Sequence, residues 1–415
     1  MERQIKFLSS VHGAVCDVAW RARLDAEIAM PSTQDRTEVW WQYGGRVFEG
    51  WLASYGSLPV WAGADDAFQR WGVRHVLHLR DDMVSLADCG AFSWREHEEP
   101  QASPMEVAEW AHEWRFDWAI SLDHVVPDYD ATFDRHGLRS APAEWQRRVD
   151  LSIRLGGEYL DACVTLGAQF TPFGACQGWS PQSFAKSAKA MRHMGYTHLA
   201  VGGVTGLPES DMLTVISAIR DAADCEALHV LGGTRLRVLP EMQRRGATSF
   251  DSTNPGRQAF MSPDGAYFGV APESRWTCVS LPRAERNKAV RDNNRMGLTT
   301  NSDVNALSSA ALHAVLDWGE RKPGVKLDDV MAKIAACHDT HSASKGYLAA
   351  VYGTLMARPW EACVCRACKT HGAYVAVFRS AKSAQLRMYH NNHQFQLWMD
   401  DQFATWSDEP ERRLF

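Results

Sequence analysis

From about residue 46 to Asp251 the chain repeats one pattern: a short apolar run, a polar or glycine stop, then a segment whose apolar residues recur at helical spacing. No other feature restricts the fold as strongly. Strands alternating with single helices make βαβ units, and those force a parallel sheet. The strand-like runs fall at 74–79, 83–87, 116–122, 169–176, 198–201, 228–231 and 247–250. Helices open at Ser103-Pro104, Ala141-Pro142, Ser180-Pro181 and Pro208, where a hydroxyl cap or a first-turn proline suits a helix start. So many repeats over some 200 residues predict an α/β fold closed as a (β/α)8 TIM barrel. An open doubly wound sheet is the competing arrangement, but no G-x-G-x-x-G follows any of the strands.

The pattern stops after Asp251. Residues 1–45 read as an N-terminal elaboration, 46–270 as the barrel, 271–360 as a helical insertion and 361–415 as a zinc-binding subdomain. Helices are expected near 305–318, 327–337 and 344–356, with a last one from about 392 to 406 that returns to the barrel. The zinc expectation rests on Cys363-Val-Cys365-Arg-Ala-Cys368. Three thiolates and one imidazole are a standard tetrahedral zinc set, and a closed set of this kind is structural. His371, His390 and His393 are the nearest sources of the nitrogen. Three buried free cysteines are the plainer alternative, since cysteine packs as a small hydrophobe.

Composition bounds the rest. With 45% hydrophobic and 23% charged residues, a full core is within reach and global disorder is not. A net charge of −6 argues against unspecific coating of nucleic acid. Ten cysteines, seven of them scattered singly, no secretory h-region at the start and no apolar run of membrane-spanning length predict a reducing, cytoplasmic setting.

Position along the chain then points to chemistry. Asp88, Asp123, Gln177, Gly202-Gly203, Gly232-Gly233 and Asp251 all fall just past the carboxyl end of an expected strand. In a (β/α)8 barrel these ends converge on the active-site face. Asp88 and Asp251, 163 residues apart, would meet across one pocket, and paired carboxylates are what glycosidic chemistry needs. Singly, each has a duller reading: an aspartate after a strand caps the next helix, and Gly-Gly makes a turn.

Taken together, these stretches resemble the tRNA-guanine transglycosylases and their DNA-acting relatives, over roughly residues 74–260 and 360–400. Asp88-Cys-Gly-Ala-Phe92-Ser is similar to the family's D-S-G-G-F-Q, Leu122-Asp123 to its F-D, and Gly174-Ala-Cys-Gln177-Gly to G-I-V-Q-G. Val201-Gly202-Gly203-Val204 is similar to I-G-G-L, and Ser249-Phe-Asp251-Ser-Thr-Asn-Pro-Gly-Arg257 to L-F-D-C-V-x-P-T-R. The resemblance implies Asp88 as general acid/base and Asp251 as nucleophile. It implies Phe92, Asp123, Gln177, Gly202, Gly203, Val204 and Arg257 as substrate-binding residues. It also implies a structural Zn2+ on Cys363, Cys365, Cys368 and His390, which selects His390 over the other two histidines.

Cys89, Ala91 and Ser93 depart from the family's Ser, Gly and Gln, and D-x-G-A-F-S looks more like the DNA-acting branch. That branch inserts 7-deazaguanines such as preQ0 into DNA in phage-resistance modification, by flipping or trapping an unpaired nucleotide. The longer interval between Asp251 and Cys363 carries Arg283, Arg286, Lys288, Arg291 and Arg295, which are read either as phosphate contacts or as a solvated helix face. A helper ATPase that opens the duplex is a further partner the acidic chain leaves room for. The alternatives are the same exchange on tRNA, a non-catalytic partner subunit, and an unrelated zinc hydrolase. Retention of both aspartates argues against the second; strand ends rich in Asp, Gln and Gly rather than His argue against the third.

Overall fold

The computed structural model of the chain describes residues 4–10, 48–56, 65–77, 79–233, 235–281, 292–293, 295–296, 300–338 and 345–406. It divides into two compact units. One is built on Phe48–Thr253 with the described residues before 11 and from Met399 onward; the other is built on Asn254–Trp398.

In the first unit eight parallel strands close into a barrel in sequence order. They are β1 (Lys6–Ser10), β2 (Gly50–Ser54), β3 (Val84–Asp88), β4 (Trp118–Ile120), β5 (Thr171–Cys176), β6 (His198–Val201), β7 (Ala227–Val230) and β8 (Ser249–Ser252), and β8 bonds back to β1. This is the expected (β/α)8 barrel, with three corrections, the first being that β2 lies outside every strand-like run read from the sequence. The wall begins at Lys6, inside the 1–45 stretch read as an elaboration. The described residues of the run 74–79 form no strand, and Val73–Val76 is a helical turn. There the Arg74 guanidinium donates to the carbonyls of Met83 (2.8 Å) and Arg80 (2.9 Å) and to Asp117 Oδ2 (2.7 Å), tying the approach to β3 to the approach to β4.

The helices start as their sequences dictate. Ser103 caps Pro104–Glu113 with a reciprocal box: its hydroxyl accepts from the Glu106 N–H, while Glu106 Oε2 accepts from the Ser103 N–H at 2.7 Å. Ser180 and Ser183 do the same for Pro181–Met194.

The ladder register decides what faces the barrel axis. Partners in a parallel ladder point to the same side, and side chains alternate along each strand. Leu52↔Leu86, Ile120↔Phe173 and Ala175↔Ala200 pair across the wall, and Leu8, Leu52, Leu86, Ile120, Phe173, Ala175 and Ala200 form one buried cluster. On the other side of the wall Phe7 stacks on Phe250 with ring centroids 5.4 Å apart. Two residues beyond the apolar ring, in the carboxyl direction, the same inward parity reaches Ser54, Asp88, Gln177 and Gly202. Asp251 pairs with Leu8, and His229 with Ala200, so both already lie on the inward face. A dry aliphatic floor thus carries a polar rim.

The second unit holds the helices Asn301–Gly319, Leu327–His338 and Lys345–Ala357, as the helical spacing predicts. It also holds the cysteine cluster, so no boundary separates the expected 271–360 insertion from the expected 361–415 subdomain. The last helix runs Ala381–Thr405 and therefore starts well before residue 392. Its fully buried Arg387 donates to the carbonyls of Ala259 (2.8 Å), Val375 (3.0 Å) and Val377 (2.8 Å), which satisfies a cation the core could not otherwise hold. No described helix is long and apolar enough to cross a membrane.

Candidate active site and metal centre

The polar rim gathers residues from strands β2 to β8. Asp88 ends β3 beside Ser54 of β2, whose hydroxyl donates to it, as does the Gly90 backbone N–H. Burial raises the Asp88 pKa from its ordinary 3.8 to about 7; the two hydrogen bonds oppose the rise, and the carboxylates of Asp123 and Asp251 reinforce it. Asp88 and Asp251, so distant in sequence, thus share one electrostatic site.

Asp123 follows β4 and is buried. The Cys89 thiol donates to its Oδ1 at 3.0 Å, and the Gln177 amide donates to its Oδ2. Burial raises the pKa of Asp123, and these two donors counter it. Burial likewise drives the Cys89 thiol well up, helped by the charge of Asp123, so Cys89 is a neutral donor and not a nucleophile. A carboxylate has about four acceptor positions, so Asp123 keeps capacity for the N–H edge of a purine. Gln177 packs over Gly202 so closely that a Cβ there would meet the amide nitrogen at 2.5 Å, which is why Gly202 has no side chain. Its Oε1 is buried with no hydrogen-bond partner among the described residues and lies beside Gly203.

Asp251 lies in β8. Its Oδ1 accepts from the Gly232 backbone N–H at 2.7 Å. Gly232 presents that N–H from a left-handed conformation, φ 76°, and a Cβ on it would meet Thr205 Oγ1 at 2.4 Å. Val204, Leu231, Gly232 and Gly233 line one side of an adjoining hollow. Phe92, in the turn after β3, is 68% exposed, and the Arg95 guanidinium lies over its ring at 4.2 Å.

Geometry therefore joins Asp88, Asp123, Gln177, Gly202, Gly203 and Asp251, with Val204 at the rim and Phe92 outside. Arg257 is exposed on Asn254–Met261, in the second unit. Of the basic set, Arg283, Arg286, Lys288 and Arg291 lie outside the described residues, and Arg295 is exposed 3.7 Å from Asp292. Sequence reasoning treated Cys89 only as a substitution and passed over His229. The inward parity of His229 on β7 was the available signal.

The raised pKa of Asp88 gives a testable stability profile. Between pH 4 and 7 the folded chain keeps a proton that the unfolded chain has lost, so stability falls as pH rises through that window. Asp88→Asn carries no such charge. It is expected to melt roughly 1–3 °C above the native chain at pH 8 and level with it below pH 4, in calorimetry. An equal or lower melting point at pH 8 contradicts the burial of that charge.

The second cluster is buried in the second unit. Ligand atoms of Cys363, Cys365, Cys368 and His390 all lie within 4.8 Å of one another. His390 Nδ1 is 3.4, 3.5 and 3.4 Å from the sulfurs of Cys363, Cys365 and Cys368. A tetrahedron with metal–sulfur bonds of about 2.3 Å and metal–nitrogen bonds of about 2.05 Å requires about 3.5 Å between those atoms, so the set fits a zinc site. The other ring nitrogen donates to the Phe268 carbonyl at 2.7 Å, which fixes the ring and its tautomer. Gln394 donates to Cys363 Sγ at 3.1 Å, and the Tyr267 ring stacks on His390 at 3.9 Å between centroids. His371 and His393 are not part of the cluster.

No family model matches the chain. It is 29% identical to a DNA-guanine transglycosylase of Salmonella montevideo over 357 residues, 83% of this chain and 84% of that protein. It is 28% identical to a queuine tRNA-ribosyltransferase of Psychrobacter cryohalolentis over 169 residues, 40% and 41% of the two chains. A queuine tRNA-ribosyltransferase of another Psychrobacter strain is 25% identical over 186 residues, 44% and 45%. With a closed barrel and three acidic side chains at its carboxyl rim in one unit, and a Cys3His cluster in the other, the chain is similar to members of the tRNA-guanine transglycosylase superfamily, and that similarity supports a pentosyltransferase.

Proposed function

We propose that the chain exchanges guanine in DNA for a 7-deazaguanine, preQ0, through a covalent glycosyl-aspartate. The observation that carries this reading is the division of labour at the rim: Asp88 holds its proton up to about pH 7, while Asp251 is presented on a backbone N–H. A protonated acid and a held carboxylate are the two partners a retaining glycosidic exchange requires.

A flipped guanine would lay its N1–H and amino edge on Asp123, with Gln177 and the Gly203/Val204 backbone along its O6 side. The exposed ring of Phe92 offers a stacking surface. The Asp251 carboxylate forms a bond to C1′ as the C1′–N9 bond breaks. The electron pair leaves on N9, which takes the Asp88 proton. Guanine departs and the deazaguanine enters. Asp88 removes its N9 proton, N9 bonds to C1′, and the Asp251 ester bond breaks; two inversions give net retention. Zinc is the metal proposed for the Cys3His set, where four protein ligands fill its sphere and assign it to structure.

The preference for DNA over tRNA is supported by the extent of similarity, 83% of the chain against 40%. The test is incubation of the chain with radiolabelled guanine or labelled preQ0 and either DNA or tRNA. Label is expected in DNA and absent from tRNA. Label in tRNA alone would replace DNA by tRNA as the substrate, and label in neither would reject the reading.

A further inference from the structure

His229 is fully buried on the inward face of β7, one strand from Asp251. Its Nδ1 lies 2.9 Å from Ser249 Oγ on β8. Its Nε2 has no hydrogen-bond partner among the described residues, and it stands 3.5 Å from Asp251 Oδ1, the oxygen that already accepts from Gly232. Buried polar nitrogens are seldom left unpaired, and hydrogen bonds in ligand-free sites are often long and tighten when the reactant arrives.

We propose that His229 is a positioning residue for Asp251, in a Ser249–His229–Asp251 chain that holds Oδ1 from below. The inference rests on the proposed glycosyl-aspartate reaction. In this chain the Ser249 hydroxyl takes the donor role toward Nδ1, the assignment that puts the imidazole proton on Nε2, facing the Asp251 carboxylate. Two donors of different origin, a backbone N–H and an imidazole N–H, then converge on one carboxylate oxygen and fix its plane toward the rim. After attack on C1′ the same oxygen is the carbonyl of the ester. When N9 of the incoming base displaces Asp251, negative charge returns to that oxygen, and both donors are already in place to receive it. His229 gains and loses no proton in either half of the exchange.

The experiment compares the native chain, His229→Phe and His229→Gln in base exchange, with mass spectrometry of the covalent adduct and its chase by excess base. Phe keeps a ring of similar size without a donor; Gln restores an N–H near the Nε2 position. His229→Phe is expected to lower kcat and slow the chase roughly 10- to 100-fold, with KM for the base within about twofold, as befits loss of one hydrogen bond to a charged group. His229→Gln is expected to recover most of that loss. A native rate in His229→Phe, or equal losses in both variants, overturns the proposal, since the second result assigns His229 to packing alone. Should His229→Phe not fold, Ser249→Ala decides: it keeps the ring but frees the tautomer, so it should slow the chase, and a native chase rate overturns the proposal. A native chain that forms no adduct on any nucleic acid rejects the reaction itself, and this inference falls with it.

Discussion

Asp251→Ala is expected to end both base exchange and adduct formation, lowering turnover by at least about 10⁴-fold, the scale seen when an enzyme loses its nucleophile. The carboxylate is the one group proposed to bond with C1′, and neither Asp88 nor Asp123 can stand in for it. Asp88 holds its proton to about pH 7, and Asp123 is committed to Cys89, Gln177 and the proposed base edge. Alanine also strips the acceptor from the Gly232 N–H, which costs about 1–3 kcal/mol where that group is buried. Asp251→Asn is therefore the better companion, because its amide oxygen can still accept that bond while its nitrogen cannot attack. Both variants should retain the metal and the native fold. Incorporation of labelled base by either one removes Asp251 from its role.

Cys365→Ser is expected to lose the metal and yield largely insoluble protein. Cys365 also caps the short helix Arg366–His371, its sulfur accepting from the Cys368 N–H at 3.4 Å. Serine is among the best helix caps, so the substitution preserves that bond and removes only the thiolate. What remains is the loss of one of four ligands. Structural zinc sites bind with about 10–16 kcal/mol in small peptides, as much as a whole domain's net stability of about 5–15 kcal/mol. The cluster also supports its surroundings: His390 holds the Phe268 carbonyl, and the neighbouring Asn391 side chain bonds the backbone of Phe268, Pro255 and Ala266. Metal content by plasma mass spectrometry should fall from about one equivalent to near zero. A soluble, metal-free variant with native exchange activity would refute the structural role.

The parts of this molecule legible from sequence are those written by neighbours in the chain. Capping hydroxyls and first-turn prolines announce Pro104–Glu113 and Pro181–Met194. Glycine stops announce β5, β6 and β7, and three cysteines within six residues announce the metal cluster. β1 escaped notice because a five-residue strand becomes one only by pairing with β2 and β8, both far along the chain. The run 74–79 was misread for the converse reason: its strand-like composition was overruled by an arginine that bonds two carbonyls and Asp117.

The sequence alone determined the alternation of strand and helix, the aspartates at the strand ends and the three sulfur ligands, because each depends on spacing within a few residues. Tertiary structure alone decided that Asp88, Asp123 and Asp251 share one field, that Cys89 and Gln177 both serve Asp123, and that His229 stands under Asp251. These follow from the register in which eight strands close, with Leu8 beside Asp251 and Ser54 beside Asp88. A ladder register is a property of paired chains, and a shift of one residue would turn every one of these side chains away from the pocket.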